Sequence, residues 1–274
     1  SLKQLDHHGA RTLVVDVTGN GGGSGLADAL ARELSGTPLR SAPVGLIRHP
    51  HSLKSLVGQE SLLARELARV DLPERHRALL DSARTRIVET IRRVETPCDA
   101  TPRWRGEPVN CGQLVSEGML STGVLEYAAP SELADLTIAP SLFYPLSYGY
   151  REGVYTGKLI VVMDRASASA TELFAALLHD NGAATLMGER SWGAGCGYTN
   201  GGVQLELAAV AMTLRAPDCA RLRITGENER AGITPDLPLA WEEKDRAAKA
   251  RMVLAAAATT ARAARPSPPT QPGR

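Results

Sequence analysis

The sequence predicts an α/β fold, because short apolar runs typical of buried strands alternate with helical segments. The clearest unit spans residues 158–197. It contains LIVVM at 159–163, a continuous apolar run that suits a strand covered on both faces. A helix with leucines at helical spacing follows and ends at Asn181-Gly182, and a second short strand covers 183–188.

The N-terminal part of the chain repeats this plan. A strand is predicted at 12–19 and an amphipathic helix at 26–36. The three adjacent glycines between them, 21–23, allow backbone amides to approach a ligand closely. A dinucleotide site is an alternative explanation, but the G-x-G-x-x-G frame that starts at Gly19 meets Ser24, and no acidic residue ends a suitable second strand.

A serine is delivered to the start of the helix that follows the LIVVM strand. The sequence SASAT occupies 167–171, so Ser169 lies near unpaired N–H groups and the positive end of the helix dipole. An oxyanion that forms at this point is stabilised. In isolation, Ser167, Ser169 and Thr171 are also explained as helix caps and small packing residues.

Two stretches carry a resemblance to a known family. DRASASATELFAALLHDNGAATLMGER, at 164–190, resembles the signature of the tail-specific, or carboxy-terminal processing, serine peptidases. VVDVTGNGGG, at 14–23, resembles the strand and glycine turn of the same family. The resemblance implies a crotonase- or ClpP-like spiral of ββα units with a helical insertion.

The resemblance also implies site residues. The middle serine of the signature, the nucleophile, corresponds to Ser169. The oxyanion hole would be formed by the N–H of Ala170 and that of a turn glycine, Gly22 or Gly23, between which the alignment does not decide. The implied activity is that of a serine endopeptidase, which hydrolyses peptide bonds through an acyl-enzyme without a cofactor or a metal.

A serine needs a base to become nucleophilic. In one branch of the family the base is the lysine of a Gly-Lys-Gly loop, but residues 193–195 are Gly-Ala-Gly here. The segment that starts at Glu227 resembles the Ser/His/Glu branch, typified by the tricorn core and the chlamydial protease-like activity factor. Glu227 lies 58 residues after Ser169, which implies that it orients a histidine. The alternative is an exposed loop glutamate, and Glu229 is the nearest competitor.

The histidine itself is not evident in the sequence. His179 lies ten residues beyond Ser169 along one helix, about 15 Å away by the rise per residue. In the Ser/His/Glu branch the histidine lies upstream of the glycine turn. Because the sequence starts with Ser1 and leads at once into a strand, we expect a processed or truncated chain whose base comes from a missing N-terminal segment. The other histidines are His7, His8, His49, His51 and His76.

The segment between the glycine turn and the serine is longer than the family pattern. It contains two charged amphipathic helices divided by Pro73, and an aromatic-rich connection at 141–157. The aromatic residues are explained either by packing of an insertion against the core or by a substrate-binding rim. The expected divisions are 1–45 and 155–240 for the peptidase core, 46–154 for the insertion, 241–265 for a C-terminal helix and 266–274 for a disordered tail.

Four cysteines, without Cys-x-x-Cys spacing, argue against zinc or thioredoxin-type redox sites. They allow three pairings. We favour Cys98 with Cys111 across a loop, and Cys196 with Cys219 across a predicted hairpin. Such disulfides would favour an extracytoplasmic, periplasmic or secreted, location. Four free thiols in a cytosolic protein are the alternative.

Composition limits the range of partners. The chain has 274 residues, 43% of them hydrophobic, which is enough for a full core. A net charge of +1 gives no electrostatic case for nucleic acid, and no apolar run is long enough for a membrane span. The expected partner is a peptide or protein substrate. Two alternatives stay open: a catalytically incomplete module of this fold that binds a peptide or ligand, and a crotonase-type acyl-CoA enzyme, against which the placement of Ser169 argues.

Overall fold

The computed structural model describes residues 4–5, 10–109, 111–112, 114–115, 117–198, 202–239 and 246–263. These residues form a parallel sheet with helices on both faces and a helical unit beside it, so the predicted α/β class is confirmed. The strands are β1 (Thr12–Asp16), β2 (Val44–Ile47), β3 (Leu114–Val115), β4 (Lys158–Met163), β5 (Thr185–Gly188), β6 (Val203–Leu207), β7 (Met212–Ala216), β8 (Cys219–Arg221) and β9 (Leu237–Pro238). The helices are α1 (Leu26–Glu33), α2 (Pro50–Leu67), α3 (Glu74–Glu95), α4 (Thr101–Trp104), α5 (Ala139–Leu142), α6 (Ala170–Asp180) and α7 (Arg246–Ala263).

The main sheet is parallel and has the order β1-β4-β5-β9. Val14 of β1 pairs with Ile160 of β4, and Val161 of β4 pairs with Leu186 of β5. Parallel strands end at the same edge of a sheet, so the glycine turn after β1 and the serine turn after β4 emerge side by side. A second sheet is antiparallel, with the order β3-β2-β8.

Strand β4 is buried on both faces, which explains its continuous apolar sequence. On one face, alternate residues of β4 join a core formed with α1 and α6. On the other face, Ile160 and Val162 pack with Val253 and Ala257 of α7. The β4 residues of the first face are Leu159, Val161 and Met163.

Helices α2 and α3 form an antiparallel pair with its own core. The chain turns between them over residues 68–73, and Pro73 directly precedes the first residue of α3. Leucine and isoleucine side chains at helical spacing are fully buried between the two helices and the segment that follows them. They include Leu56, Leu63, Leu80 and Ile87. This second core reaches the main one at α1, where Ala29 is buried.

The buried Arg32 of α1 also joins the two parts. Its guanidinium donates to Asp28 at 2.7 Å and to the Leu39 carbonyl at 2.7 Å, and its Cζ lies 4.7 Å from the centre of the Phe143 ring. Burial raises the pKa of Asp28, and the charge of Arg32 opposes that rise. A buried cation of this kind is tolerated because its donors are paired.

Both predicted disulfides, Cys98–Cys111 and Cys196–Cys219, are present. The second closes around residues 203–217, where β6 and β7 form an antiparallel hairpin, as expected between these two cysteines. A 3₁₀ turn at Ala208–Val210, followed by Ala211 with φ of 50°, reverses the chain between them. None of the described helices combines the length and apolar composition that crossing a bilayer requires.

Asp28→Ala should destabilise the protein by about 3–5 kcal/mol, because it leaves the buried Arg32 without its carboxylate. The free energy of unfolding in urea measures this. Glu126→Ala is the matched control, since it breaks the exposed Arg40–Glu126 pair and should change stability little. Equal stability of the two variants would contradict this account of Arg32.

Candidate active site

The glycine turn after β1 and the serine turn after β4 are bonded to each other. Ala168 N–H donates to the Asn20 carbonyl at 3.0 Å, and Gly19 N–H donates to Asp164 Oδ1 at 3.0 Å. These contacts join segments that are about 145 residues apart in sequence. The two turns therefore form one rigid corner at the edge of the sheet.

Ser167 belongs to the framework of this corner. It is 1% exposed, and its hydroxyl donates to the Val17 carbonyl at 3.0 Å. The same oxygen lies 3.1 Å from the Asp164 N–H, from which it accepts. The first serine of SASAT thus holds the end of β1 against the serine turn.

Ser169 has a different environment. It is half-buried and immediately precedes α6, with φ of 56° and ψ of −118°. Residues with a side chain rarely adopt positive φ, and such strain persists only where the surrounding structure enforces it. A nucleophilic serine on a sharp turn between a strand and a helix has this kind of backbone. The geometry singles out Ser169 among the hydroxyls of SASAT.

The strained turn is fixed by the buried carboxylate of Glu172. Oε2 accepts from Ser169 N–H and from Ala194 N–H, each at 2.9 Å. Oε1 accepts from Gly193 N–H at 2.6 Å and from the Ser191 hydroxyl at 2.5 Å. One side chain thus ties the start of α6 to the loop that follows β5.

Gly22 lies directly against Ser169. A Cβ on Gly22 would lie 2.7 Å from the Ala168 carbonyl oxygen, 2.7 Å from Ser169 Cβ and 2.8 Å from Ala170 N. Gly22 also has φ of 103°. Only glycine fits this position, because both the space and the backbone conformation exclude a side chain.

Gly22 and Gly23, the two glycines between which the sequence did not decide as oxyanion donors, have different amide environments in the structure. Gly22 N–H donates to Asn20 Oδ1 at 3.0 Å. Within the described part of the chain, Gly23 N–H forms no hydrogen bond, and Gly23 lines the cleft next to Ala170. Ala170 N–H is the first amide of α6, so it has no acceptor within the helix. Gly23 and Ala170 therefore both border this cleft, and neither N–H is used in a hydrogen bond within the described residues.

A cleft of about 410 Å³ opens beside these amides, between α1, α6 and the glycine turn. Its wall is mostly apolar, and Glu33 contributes a carboxylate at one side. The apolar residues that line it are Val15, Val17, Leu26, Ala27, Leu30, Leu34, Ala170 and Phe174. The cleft suits an aliphatic side chain better than a charged one.

The two candidate glutamates occupy different positions. Glu227 is exposed on a turn, where its carbonyl accepts from Arg223 N–H at 2.7 Å. Glu229 is 2% exposed and forms an ion pair with Arg221, whose guanidinium donates to the Ser169 carbonyl at 2.8 Å. The structure therefore brings Glu229, rather than Glu227, next to the serine turn, through Arg221.

The described histidines are engaged with groups other than Ser169. His51 Nε2 lies 2.9 Å from the buried Asp218 Oδ2, and His49 Nδ1 accepts from His51 N–H at 3.1 Å. His76 Nε2 lies 3.0 Å from the Glu132 carbonyl. His7 and His8 lie outside the described residues.

His179 lies at the far end of α6 from Ser169, as the helix rise predicts. Its Nε2 is 3.0 Å from Asp236 Oδ1, and its Nδ1 is 2.9 Å from Arg223. These contacts fix the end of α6 to the segment before β9. They leave the imidazole remote from the cleft.

Comparison with known proteins identifies the family. The sequence profile of peptidase family S41 matches residues 1–239. This chain is a member of peptidase family S41. The predicted resemblance to the tail-specific peptidases is thereby confirmed. No curated protein sequence matches the chain significantly.

Solved structures share the fold of this S41 chain. The complex of mature CPAF with lactacystin superposes with a TM-score of 0.56 at 14% identity, over 95% of this chain and 46% of that one. Mature CPAF superposes with a TM-score of 0.51 at 17% identity, over 87% of this chain and 41% of that one. A putative peptidase from Parabacteroides merdae ATCC 43184 superposes with a TM-score of 0.50 at 15% identity, over 97% of this chain and 59% of that one. The chain thus spans between 41% and 59% of the length of these structures.

Two residues that contact the serine turn were missed at the sequence level. Glu172 had a local signal, because Ser169 and Glu172 form the S-x-x-E pattern of a capping box. The pattern indicates the contact with Ser169 N–H, but not the three contacts with the loop after β5. No sequence pattern indicated Arg221, since its contact with the serine turn depends on how β8 packs against that turn.

Burial raises the pKa of Glu229 from 4.5 to about 7, with Arg221 opposing the rise and Glu172 adding to it. A carboxyl whose folded pKa is raised stabilises the fold below its unfolded pKa, and this contribution is lost as the pH rises through the folded pKa. The free energy of unfolding should therefore fall between pH 4.5 and about 7, by on the order of 3 kcal/mol.

Glu229→Gln should remove this pH dependence, because the amide retains a hydrogen-bonding oxygen for Arg221 and does not titrate. Urea unfolding at a series of pH values measures the effect. The exposed Glu227→Gln is the control and should keep the wild-type profile. If Glu229→Gln also kept the wild-type profile, the buried-carboxyl account would be wrong.

Proposed function

We propose that this chain is the catalytic portion of a serine endopeptidase in which Ser169 is the nucleophile. The observation that carries the proposal is the strained backbone of Ser169 at the start of α6, with two amides and an apolar cleft beside it. Membership of family S41 supports peptide hydrolysis as the reaction. The substrate is a peptide or protein, and no cofactor takes part.

The reaction would proceed through an acyl-enzyme. Ser169 Oγ attacks the peptide carbonyl carbon while its proton moves to a general base, and the carbonyl oxygen becomes an oxyanion. The carbon–nitrogen bond then breaks, and the base gives the proton to the departing amine. Water attacks the ester in the same way, the carbon–Oγ bond breaks, and Oγ regains a proton.

We assign the oxyanion hole to Ala170 N–H and Gly23 N–H. Both residues border the cleft, whereas Gly22 N–H donates to Asn20 Oδ1. Gly22 instead serves as the point of close contact that brings the glycine turn against Ser169. Each donor in such a hole contributes roughly 100- to 1000-fold in rate.

We assign the role of the orienting acid to Glu229 rather than to Glu227. Glu229 is buried and linked through Arg221 to the Ser169 carbonyl, while Glu227 is exposed. The general base would be a histidine outside the described residues, because the described histidines are bonded elsewhere. An upstream segment that supplies this histidine remains the proposed partner.

Three further assignments accompany this function. The apolar cleft would accept an aliphatic side chain of the substrate next to the scissile bond. The two disulfides favour an extracytoplasmic location. The peptidase core would comprise 1–45 and 155–240, with 46–154 as a helical and aromatic-rich insertion.

The second candidate function is a binding module of the same fold without catalysis. It is favoured by one observation, the engagement of His49, His51, His76 and His179 with groups other than Ser169. In that case the cleft would hold an apolar side chain of a peptide without cleaving it.

A fluorophosphonate probe should label Ser169 when the base is present. Labelling is measured on this chain and on a form extended upstream, and we expect adduct in the extended form. Ser169→Ala should abolish it, and the exposed Ser131→Ala should not. Absence of labelling in both forms would reject the peptidase and favour the binding module.

Gly22→Ala should reduce the labelling rate roughly 100-fold, because the methyl group pushes the glycine turn away from Ser169 and misaligns the oxyanion donors. Gly21→Ala is the matched control, since a Cβ there meets nothing within 4 Å. The rate constant of labelling in the extended form measures both. Equal rates for the two variants would show that the close contact at Gly22 is not needed.

A further inference from the structure

Arg221 reaches the serine turn from β8, a strand of the second sheet. Its guanidinium donates to the Ser169 carbonyl at 2.8 Å, across 52 positions of sequence. The Arg221 side chain is 12% exposed, so the cation is held in a largely buried position. The reaction proposed above uses Ser169, a base and two amides, and it gives Arg221 no part of its own. The structure thus places a buried cation on the backbone of the nucleophile, with a role still to be assigned.

This contact acts on the peptide group whose N–H we assign to the oxyanion hole. The Ser169 carbonyl and the Ala170 N–H belong to the same peptide group. The group is planar and trans, so its C=O and its N–H point in opposite directions. A donor that fixes the direction of the carbonyl therefore fixes the direction of the N–H as well. Arg221 holds the carbonyl end, and Ala170, which carries the N–H end, borders the cleft.

The other donors to this carbonyl belong to the same helix. The N–H groups of Glu172 and Leu173 donate to the Ser169 carbonyl at 2.9 Å and 3.1 Å, and they move with α6. Among the described residues, Arg221 is the donor that comes from outside this helix. The positive φ of Ser169 costs on the order of 1–3 kcal/mol, so the peptide groups on either side of it need external support. The Glu172 carboxylate holds the group before Ser169, and Arg221 holds the group after it.

The charge of Arg221 adds to the effect of its position. A hydrogen bond from an ionised donor is roughly twice as strong as a bond between neutral groups. Hydrogen bonds in series also strengthen one another, by roughly 10–30% per bond. A cation on the Ser169 carbonyl oxygen therefore makes the Ala170 N–H a stronger donor. The guanidinium is kept in place by Glu229, which is 2% exposed and accepts from Arg221 Nε, while a different nitrogen of Arg221 binds the carbonyl.

We propose that Arg221 is a positioning residue of the oxyanion hole, which directs the Ala170 N–H and strengthens it as a donor. This role rests on the proposed peptidase function. Arg221 does not contact the substrate, because it acts through the peptide group between Ser169 and Ala170. Glu229 has a second task in this arrangement, since its carboxylate anchors the guanidinium at the carbonyl.

Nuclear magnetic resonance tests the coupling on this chain without requiring turnover. Isotope labelling of serine carbonyl carbons and alanine nitrogens gives an HNCO signal for each Ser-Ala peptide group, and the signal of Ala170 is the one that Ser169→Ala removes. Three reference signals come from Ala42, Ala83 and Ala168.

Residue 221 is compared as Arg, Lys and Gln in chains that all carry Glu229→Gln, so that no buried carboxylate is left unpaired. Arg221→Gln should move the Ser169 carbonyl carbon and the Ala170 amide proton upfield, because the carbonyl loses a cationic donor. Arg221→Lys should restore part of the shift, and the three reference signals should stay in place. An unmoved Ala170 signal in Arg221→Gln would overturn the proposal.

Fluorophosphonate labelling of the form extended upstream measures the consequence for the reaction, here with Glu229 retained. In Arg221→Gln the buried Glu229 takes up a proton rather than remain an unpaired charge, and the melting temperature checks that the variant is folded. Its labelling rate should fall roughly 10-fold or more, less than the roughly 100- to 1000-fold expected for loss of a whole oxyanion donor. Arg221→Lys should recover part of the rate. Arg40→Gln, at an exposed arginine, is the control and should label at the wild-type rate.

The outcomes separate this role from the peptidase assignment. Labelling of the wild-type and Arg221→Gln forms at equal rates would keep the peptidase and reject the role of Arg221. Slower labelling with an unmoved Ala170 signal would mean that the loss arose through Glu229, and would reject the role as well. No labelling of the wild-type extended form would reject the peptidase itself, and the role of Arg221 with it.

Discussion

The carboxylate of Glu172 is the constraint on which the rest of the site depends. It is buried, and a buried carboxylate is tolerated only when donors replace its lost water. Three backbone amides and the Ser191 hydroxyl do so, and they come from the serine turn and from the loop after β5. Since these donors converge on one group, neither segment can shift without leaving that charge unpaired. The strained conformation of Ser169 is thus held by a side chain of its own helix, which the loop after β5 keeps in place.

Much of the fold was predictable because it follows from local patterns. The LIVVM strand is buried on both faces, and a strand in that environment has a continuous apolar sequence without alternation. The glycine turn and the serine at the helix start were likewise visible, because each needs a residue type that few other positions require. The cysteine pairs were predicted because each bridges a short stretch of chain. The hairpin of β6 and β7 was expected between Cys196 and Cys219, but alternation of apolar residues does not show where the chain reverses within it.

The parts of the site that the sequence did not reveal depend on contacts between distant segments. The sequence left Gly22 and Gly23 equivalent, and the Asn20 side chain distinguishes them by binding one amide. Glu227 and Glu229 are two residues apart, and only the structure shows that Glu229 is the one paired with Arg221, which contacts the Ser169 carbonyl.

The disulfide between Cys196 and Cys219 has a consequence for how this chain can change. Cys196 follows the loop that binds Glu172, and Cys219 starts the strand that carries Arg221, so the bridge fixes both sides of the site to each other. The residues between them form a closed ring that contains the exposed hairpin of β6 and β7. The ring can lengthen or vary in sequence while its two ends stay in place. In evolutionary terms, the hairpin is a position where new sequence can be inserted at little cost to the chemistry next to it.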